Sequence, residues 1–265
     1  DQTAEVFDEL FQNNLEILRH QSTFDYENID EVLENASNNH IKYIINNGSN
    51  NETNKEVLDL IEKYPNMYGA IGIHPEDIDG ATQEDIKFIE VNLSNEKIVA
   101  IGEIGLDYYY TKENKEKQIK LFETQLALAE KYNIPVIVHS RDATEDTINS
   151  LKKFKCKGVI HSFAGSLETA KIYIKMGYLL GVNGVITFKN SKIKEVIKEV
   201  GLENVVLETD SPYLTPEPFR GKQNNPGHVF EVAKFVADLY NISLEELAEQ
   251  TNKNITNMYK KMKLD

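Results

Sequence analysis

Several apolar runs in this chain end in groups that bind cations or move protons. Val99-Ala100-Ile101-Gly102 leads to Glu103, Ile71-Gly72-Ile73 to His74, Ile134-Pro135-Val136-Ile137-Val138 to His139, Gly158-Val159-Ile160 to His161, and Val205-Val206-Leu207-Glu208-Thr209 to Asp210. A short β-branched run reads as a buried strand, and a carboxylate at its end is costly to bury without a cationic partner. Glu103 therefore predicts a cation beside it. Together, Glu103, His139, His161 and Asp210 offer hard oxygen and borderline nitrogen donors with no thiolate among them, a set that suits Zn, Mn or Mg. Such ions polarise a phosphoryl or carbonyl oxygen, lower the pKa of water, and as a pair about 3.5–4 Å apart hold both the attacking and the leaving oxygen. The expected chemistry is hydrolysis with up to two divalent ions per chain, Glu103 having room between Gly102 and Gly105 to bridge them. A lone histidine after a strand is more often a hydrogen-bonded loop residue than a ligand. It is the shared position of these groups that points to a site. His40 and His228 lack that setting and read as ordinary surface or helix residues.

Residues so far apart converge only in a fold that opens all its strand ends on one face. Strands are expected at Ile41 to Ile45, Met67 to Ile73, around Glu103, in the runs to His139 and His161, at Tyr178 to Val182 and at Val205 to Glu208. Helical periodicity falls near 28–38, 52–63, 82–92, 118–131, 143–153, 167–176 and 191–199, with two more helices near 227–240 and 243–261. Ser243 with Glu246 three residues on forms a capping box for the last of them. Apolar strands alternating with helices describe a parallel sheet covered by helices, so the expected fold class is α/β, a (β/α)8 TIM barrel. The eighth strand belongs before residue 28. There residues 1–18 instead show Phe7, Leu10, Phe11, Ile17 and Leu18 at helical spacing, so the first strand is left unplaced or is replaced by an N-terminal helix.

A length of 265 residues suits one such barrel, and no Pro-, Gly- or Ser-rich linker divides the chain. The domain expectation is a single hydrolase barrel over 1–265, with 1–23 an atypical leading segment. The formal net charge of −14 argues against a broad basic face that coats duplex nucleic acid. It leaves room for an enzyme that grips one or two phosphates. Arg141 close after His139, and Arg220-Gly221-Lys222 in the Pro-rich loop after the last strand, suit a phosphodiester or carboxylate ligand. Lys152, Lys153, Lys155 and Lys157 precede the His161 strand at the opposite end and read as solvated surface. The lone Cys156 has no partner for an internal disulfide, and neither a membrane span nor a secretory signal is visible. The expected location is cytoplasmic.

The blocks Gly72-Ile73-His74-Pro75, Gly102-Glu103-Ile104-Gly105-Leu106-Asp107, Val138-His139-Ser140-Arg141-Asp142-Ala143, His161-Ser162-Phe163-Ala164-Gly165, Gly184 to Asn190, Glu208-Thr209-Asp210-Ser211-Pro212 and Arg220-Gly221-Lys222 follow one another in the chain. In this order they resemble the TatD-type metal-dependent deoxyribonucleases of the amidohydrolase-like superfamily, from about Phe24 onward. The resemblance implies a two-metal site in which Glu103 bridges the ions and His139 and His161 bind one of them. Asp210 binds the other and helps activate the attacking water. It places His74, Arg141, Arg220 and Lys222 along the substrate path, and makes DNA, as single strands or ends, the expected partner, with no obligatory protein partner and no membrane. The family also opens with a strand ending in His-x-His, and no His-x-His occurs in this chain. Loss of two ligands predicts a weakened second metal. Two alternatives to the deoxyribonuclease follow: an impaired or inactive relative that binds an anionic ligand, and a small-molecule esterase or amidohydrolase.

Overall fold

The computed structural model describes residues 15–19, through the backbone, and residues 28–264. Eight strands form one sheet in sequence order, every neighbouring pair parallel. They are β1 (Leu15–Arg19), β2 (Ile41–Asn47), β3 (Met67–Ile71), β4 (Ile98–Asp107), β5 (Val136–Arg141), β6 (Gly158–Ile160), β7 (Tyr178–Val182) and β8 (Val205–Leu207). β8 returns into contact with β1, giving the expected (β/α)8 barrel. The helices α1 (Ile29–Asn38), α2 (Asn51–Lys63), α3 (Gln83–Asn92), α4 (Lys115–Tyr132), α5 (Thr144–Leu151), α6 (Leu167–Lys175) and α7 (Ile193–Val200) alternate with the strands, and α8 (Val229–Tyr240) and α9 (Leu244–Met258) follow. The capping box of Ser243 and Glu246 is present at α9, and a second one joins Asn50 to Thr53 at α2.

The expectation of a helix through residue 18 is overturned at its end. Residues 15–19 pair with β2 from Leu15 beside Ile41 to Arg19 beside Asn46, so the barrel has an ordinary first strand. The spacing of Leu15, Ile17 and Leu18 is compatible with either period, and pairing with a strand more than twenty residues away decides it. The rest of the expected helix lies outside the described residues.

Two apolar layers hold the fold. Tyr43, Ile45, Ala70, Ile137, Val159 and Val206 fill the barrel, and Tyr259 and Met262 pack into the same interior cluster from beyond α9. A larger layer between sheet and helices contains Ile44, Ile71, Ile101, Val138, Leu180 and Leu207. Successive residues of β2, β5, β6 and β8 alternate between the layers, whereas Val99 and Ala100 of β4 both lie in the inner one; a polar residue continuing the inner row at a strand's carboxyl end faces the barrel mouth. No helix among the described residues is long and apolar enough to cross a membrane.

Candidate metal centre

Glu103 stands within β4 and is fully buried. Its Oε1 lies 2.9 Å from His139 Nδ1 and 3.4 Å from His74 Nε2, and its Oε2 lies 3.9 Å from His161 Nε2. His161 Nε2 in turn is 3.3 Å from Asp210 Oδ1. The five groups read from the strand ends therefore meet in one place. Glycines permit the approach: a Cβ on Gly105 would stand 1.9 Å from the His139 carbonyl oxygen, and one on Gly102 would stand 2.6 Å from the Ile137 side chain. The glycine before Glu103 and the one two residues after it give β4 and β5 their closeness.

His139 and His161 are each aimed by a second carboxylate. Asp107 Oδ2 is 2.8 Å from His139 Nε2, and Glu208 Oε2 is 2.9 Å from His161 Nδ1. A carboxylate on one ring nitrogen fixes the proton there and directs the other nitrogen's lone pair away, toward a cation. Glu208 is itself held by the Ser162 N–H at 2.5 Å, reached because Ser162 turns with a left-handed φ of 47°. Asp210, at φ 54°, makes the same kind of turn after β8, and strain of this kind persists where surrounding contacts enforce it. Burial alone would lower the His161 pKa, but the Glu208 and Asp210 carboxylates beside it raise it to about 10, so a cation held at Nε2 would take the place of a proton. Burial likewise works against the charge of Asp107, but hydrogen bonds from His139 and the Tyr109 N–H hold its pKa below the usual carboxylate value.

The donor set fits a divalent cation. His74, Glu103 and His139 each offer one ligand atom, and these three atoms lie within 4.8 Å of one another. Hydrogen bonding separates their roles. His74 Nδ1 accepts the Glu76 N–H at 3.2 Å, so in the neutral ring the proton sits on Nε2, facing Glu103. His74 is thus a hydrogen-bond donor, while His139 Nδ1 and His161 Nε2 are the ring nitrogens left for a cation, which at His161 would displace a proton. Charge points the same way, because the carboxylates of Glu103, Asp107, Glu208 and Asp210 outnumber the three imidazoles whatever the protonation of the rings.

Arg141, at the end of β5, lies in register with Asp107 and places its guanidinium carbon 3.6 Å from the Tyr109 ring centre. Arg220 sits likewise 3.7 Å over Phe188, and Lys222 is 5.8 Å from the Phe219 ring centre. The buried Asn224 shapes their loop by donating to the carbonyls of Thr209 and Tyr213 at 2.7 and 2.6 Å. His228, read as an ordinary residue, stacks on Phe219 at 4.7 Å. Sequence reasoning passed over Asp107 and Glu208 as site residues, although the strand period of two puts Asp107 on the face of Glu103 and Glu208 on that of Asp210. It also passed over Asn46 and Asn47, both fully buried at the end of β2, whose side-chain amides find no hydrogen-bond partner among the described residues. Asn47 continues the inner row of Tyr43 and Ile45, one residue before Gly48, whose carbonyl accepts the Glu103 N–H at 3.0 Å.

A parallel barrel with imidazoles and carboxylates gathered at its strand ends defines a metal-dependent hydrolase. Residues 18–260 match the TatD-related DNase family, and the chain belongs to it. It is similar to YabD of Bacillus subtilis, named as an uncharacterized metal-dependent hydrolase, at 41% identity over 236 residues, 88% of this chain and 92% of that one. YcfH of Escherichia coli, named in the same way, is 34% identical over 248 residues, 91% of this chain and 93% of its own. Among solved structures, the TatD homologue YjjV of Escherichia coli superposes with a TM-score of 0.85 at 29% identity, covering 95% of this chain and 99% of that one.

Proposed function

We propose that the protein is a divalent-metal-dependent deoxyribonuclease that hydrolyses DNA phosphodiester bonds at single strands or ends. The observation that carries the reading is Glu103, a buried carboxylate whose two oxygens face His139 and His161, each aimed by a carboxylate of its own. Glu103, His139, His161 and Asp210 would hold the metal, up to two ions per chain. A bound divalent ion supplies Lewis acidity toward a phosphoryl oxygen and makes hydroxide available near neutral pH. Asp210 takes the proton of the attacking water at a carboxylate oxygen, close to His161. His74 steadies Glu103, or a phosphate oxygen that displaces it, through the proton on Nε2. Arg141, Arg220 and Lys222 receive the flanking phosphates, for which forked guanidinium groups are well matched.

The test is release of nucleotides from a labelled oligonucleotide by metal-free protein to which Mn, Zn or Mg is returned. Metal-stimulated release that Glu103→Ala abolishes is the expected outcome, and an undiminished rate in that variant would refute the proposal. Simple phosphodiesters and carboxylic esters run in parallel rank a small-molecule hydrolase against it. A second reading, a weakened relative that binds an anionic ligand, is favoured by the absence of any His-x-His from the sequence. Metal stoichiometry separates the two: two ions per chain support the enzyme, and none or one supports the weakened relative.

A further inference from the structure

Directly after β4 the chain presents Tyr109 and Tyr110, 56% and 73% exposed, although large aromatic side chains ordinarily gain by burial. Their rings meet edge to face at 4.8 Å. The Arg141 guanidinium covers one face of Tyr109 at 3.6 Å and lies 5.5 Å from the Tyr110 ring centre. The pair is anchored to the metal centre by two short links. The Tyr109 N–H donates to Asp107 Oδ1 at 2.9 Å, and the other oxygen of Asp107 holds His139. The Tyr108 N–H donates to the Arg141 carbonyl at 2.9 Å, so the aromatic pair and the arginine are carried as one piece. Tyr108, by contrast, is buried and bonded to Asp146, which fixes the direction in which the next two rings project.

An exposed ring with a rigid base and a cation at its edge is the chemistry that takes the face of a nucleobase, since every base presents a π-surface. We infer that Tyr110, backed by Tyr109 and Arg141, is a base-stacking step beside the metal centre. It seats an unpaired nucleobase next to the phosphodiester held at Glu103. Arg141 serves both parts, its guanidinium stacked on Tyr109 while its N–H groups stay at the edge for phosphate. A paired base within a duplex keeps its faces covered by its neighbours, so the step selects single strands and frayed ends. This inference rests on the nuclease reading and narrows it to substrates that carry bases.

The experiment compares an oligonucleotide with a strand of equal length and charge built from abasic nucleotides. Binding is measured without metal by isothermal titration calorimetry, a signal that does not depend on which residue stands at 110. KM is measured with metal restored. Wild-type protein is expected to prefer the base-bearing strand by on the order of ten-fold, the usual worth of one base on one aromatic ring. Tyr110→Ala should erase most of that preference, and Tyr110→Trp should keep it. Equal binding of the two strands by wild-type protein, or a preference that survives Tyr110→Ala, overturns the inference. The binding arm decides this even if no oligonucleotide is cleaved, an outcome that would count against the nuclease reading alone.

Discussion

A carboxylate withdrawn from water is stable only where something positive or proton-bearing meets it, and the centre of this molecule contains four carboxylates close together. The order Asp107, His139, Glu103, His161, Glu208 alternates acid and imidazole, with links of 2.8, 2.9, 3.9 and 2.9 Å. The widest link, at His161 Nε2, is also the point nearest Asp210. The outer carboxylates aim the rings, and the inner one is left to share its oxygens. Removing an outer carboxylate therefore acts on metal affinity through the ring it aims. Glu208→Gln keeps volume and an acceptor for the Ser162 N–H but no longer favours a proton on Nδ1 of His161. Calorimetric titration of the metal-free variant should show affinity lower by roughly 10–100-fold, with the unfolding midpoint in the absence of metal little changed. A lost midpoint with undiminished metal affinity would make Glu208 a purely structural group.

Strand ends stay where chemistry needs them because side-chain amides from the helices grip them. Gln125 of α4 donates to the Ile73 carbonyl at 3.1 Å and accepts the Ile73 N–H at 2.8 Å, fixing the residue before His74. Gln118, two turns earlier on the same face, does the same for Asp107 at 2.8 and 2.9 Å, and Asn54 of α2 for Gly72 at 2.9 and 3.1 Å. Each clamp satisfies backbone groups at or just past a strand end that are out of reach of water. Gln125→Leu should cost on the order of 1–3 kcal/mol for each backbone group left unpaired, read as a lower urea midpoint. Activity should fall further than the stability loss explains, because His74 is no longer held. These clamps were invisible in the sequence, where Gln118 and Gln125 look like any polar residues of an amphipathic helix. What was legible rested on local pattern. The strands from Ile41 to Glu208 and the helices between them stand within a few residues of their expected places, because β-branched runs and helical periodicity report burial directly. The first strand was not legible, since Leu15–Arg19 takes its conformation from pairing with β2. For the site, the strand-end groups could be read from their position. The aiming of His139 by Asp107 and of His161 by Glu208 could not, because it depends on strand register and on the turn at Ser162.

At the scale of the whole molecule, a polyanion could be bound by a chain of net charge −14 only through a local grip and not through its general field. The described cations given a phosphate role are Arg141 at the end of β5, and Arg220 and Lys222 in the loop after β8. A second group of lysines lies at the other end of the barrel. There Lys155, Lys157, Lys260 and Lys261 border a groove of about 530 Å³ together with Cys156, whose thiol is pushed up to about 12 by burial and by Glu130 and so does not serve as a nucleophile at neutral pH. If the strand is held by these three alone, about three phosphates are neutralised. The logarithm of single-strand affinity should then fall with the logarithm of salt concentration at a slope near −2, from roughly 0.7 for each phosphate contact. Arg220→Ala should reduce the slope by about 0.7. Replacing Lys155 and Lys157 with glutamate should leave it unaltered, although that change makes the molecule more acidic by four charges. A slope that follows total charge instead of the mouth arginines would mean that the strand is held elsewhere, and the phosphate roles of Arg141, Arg220 and Lys222 would have to be given up.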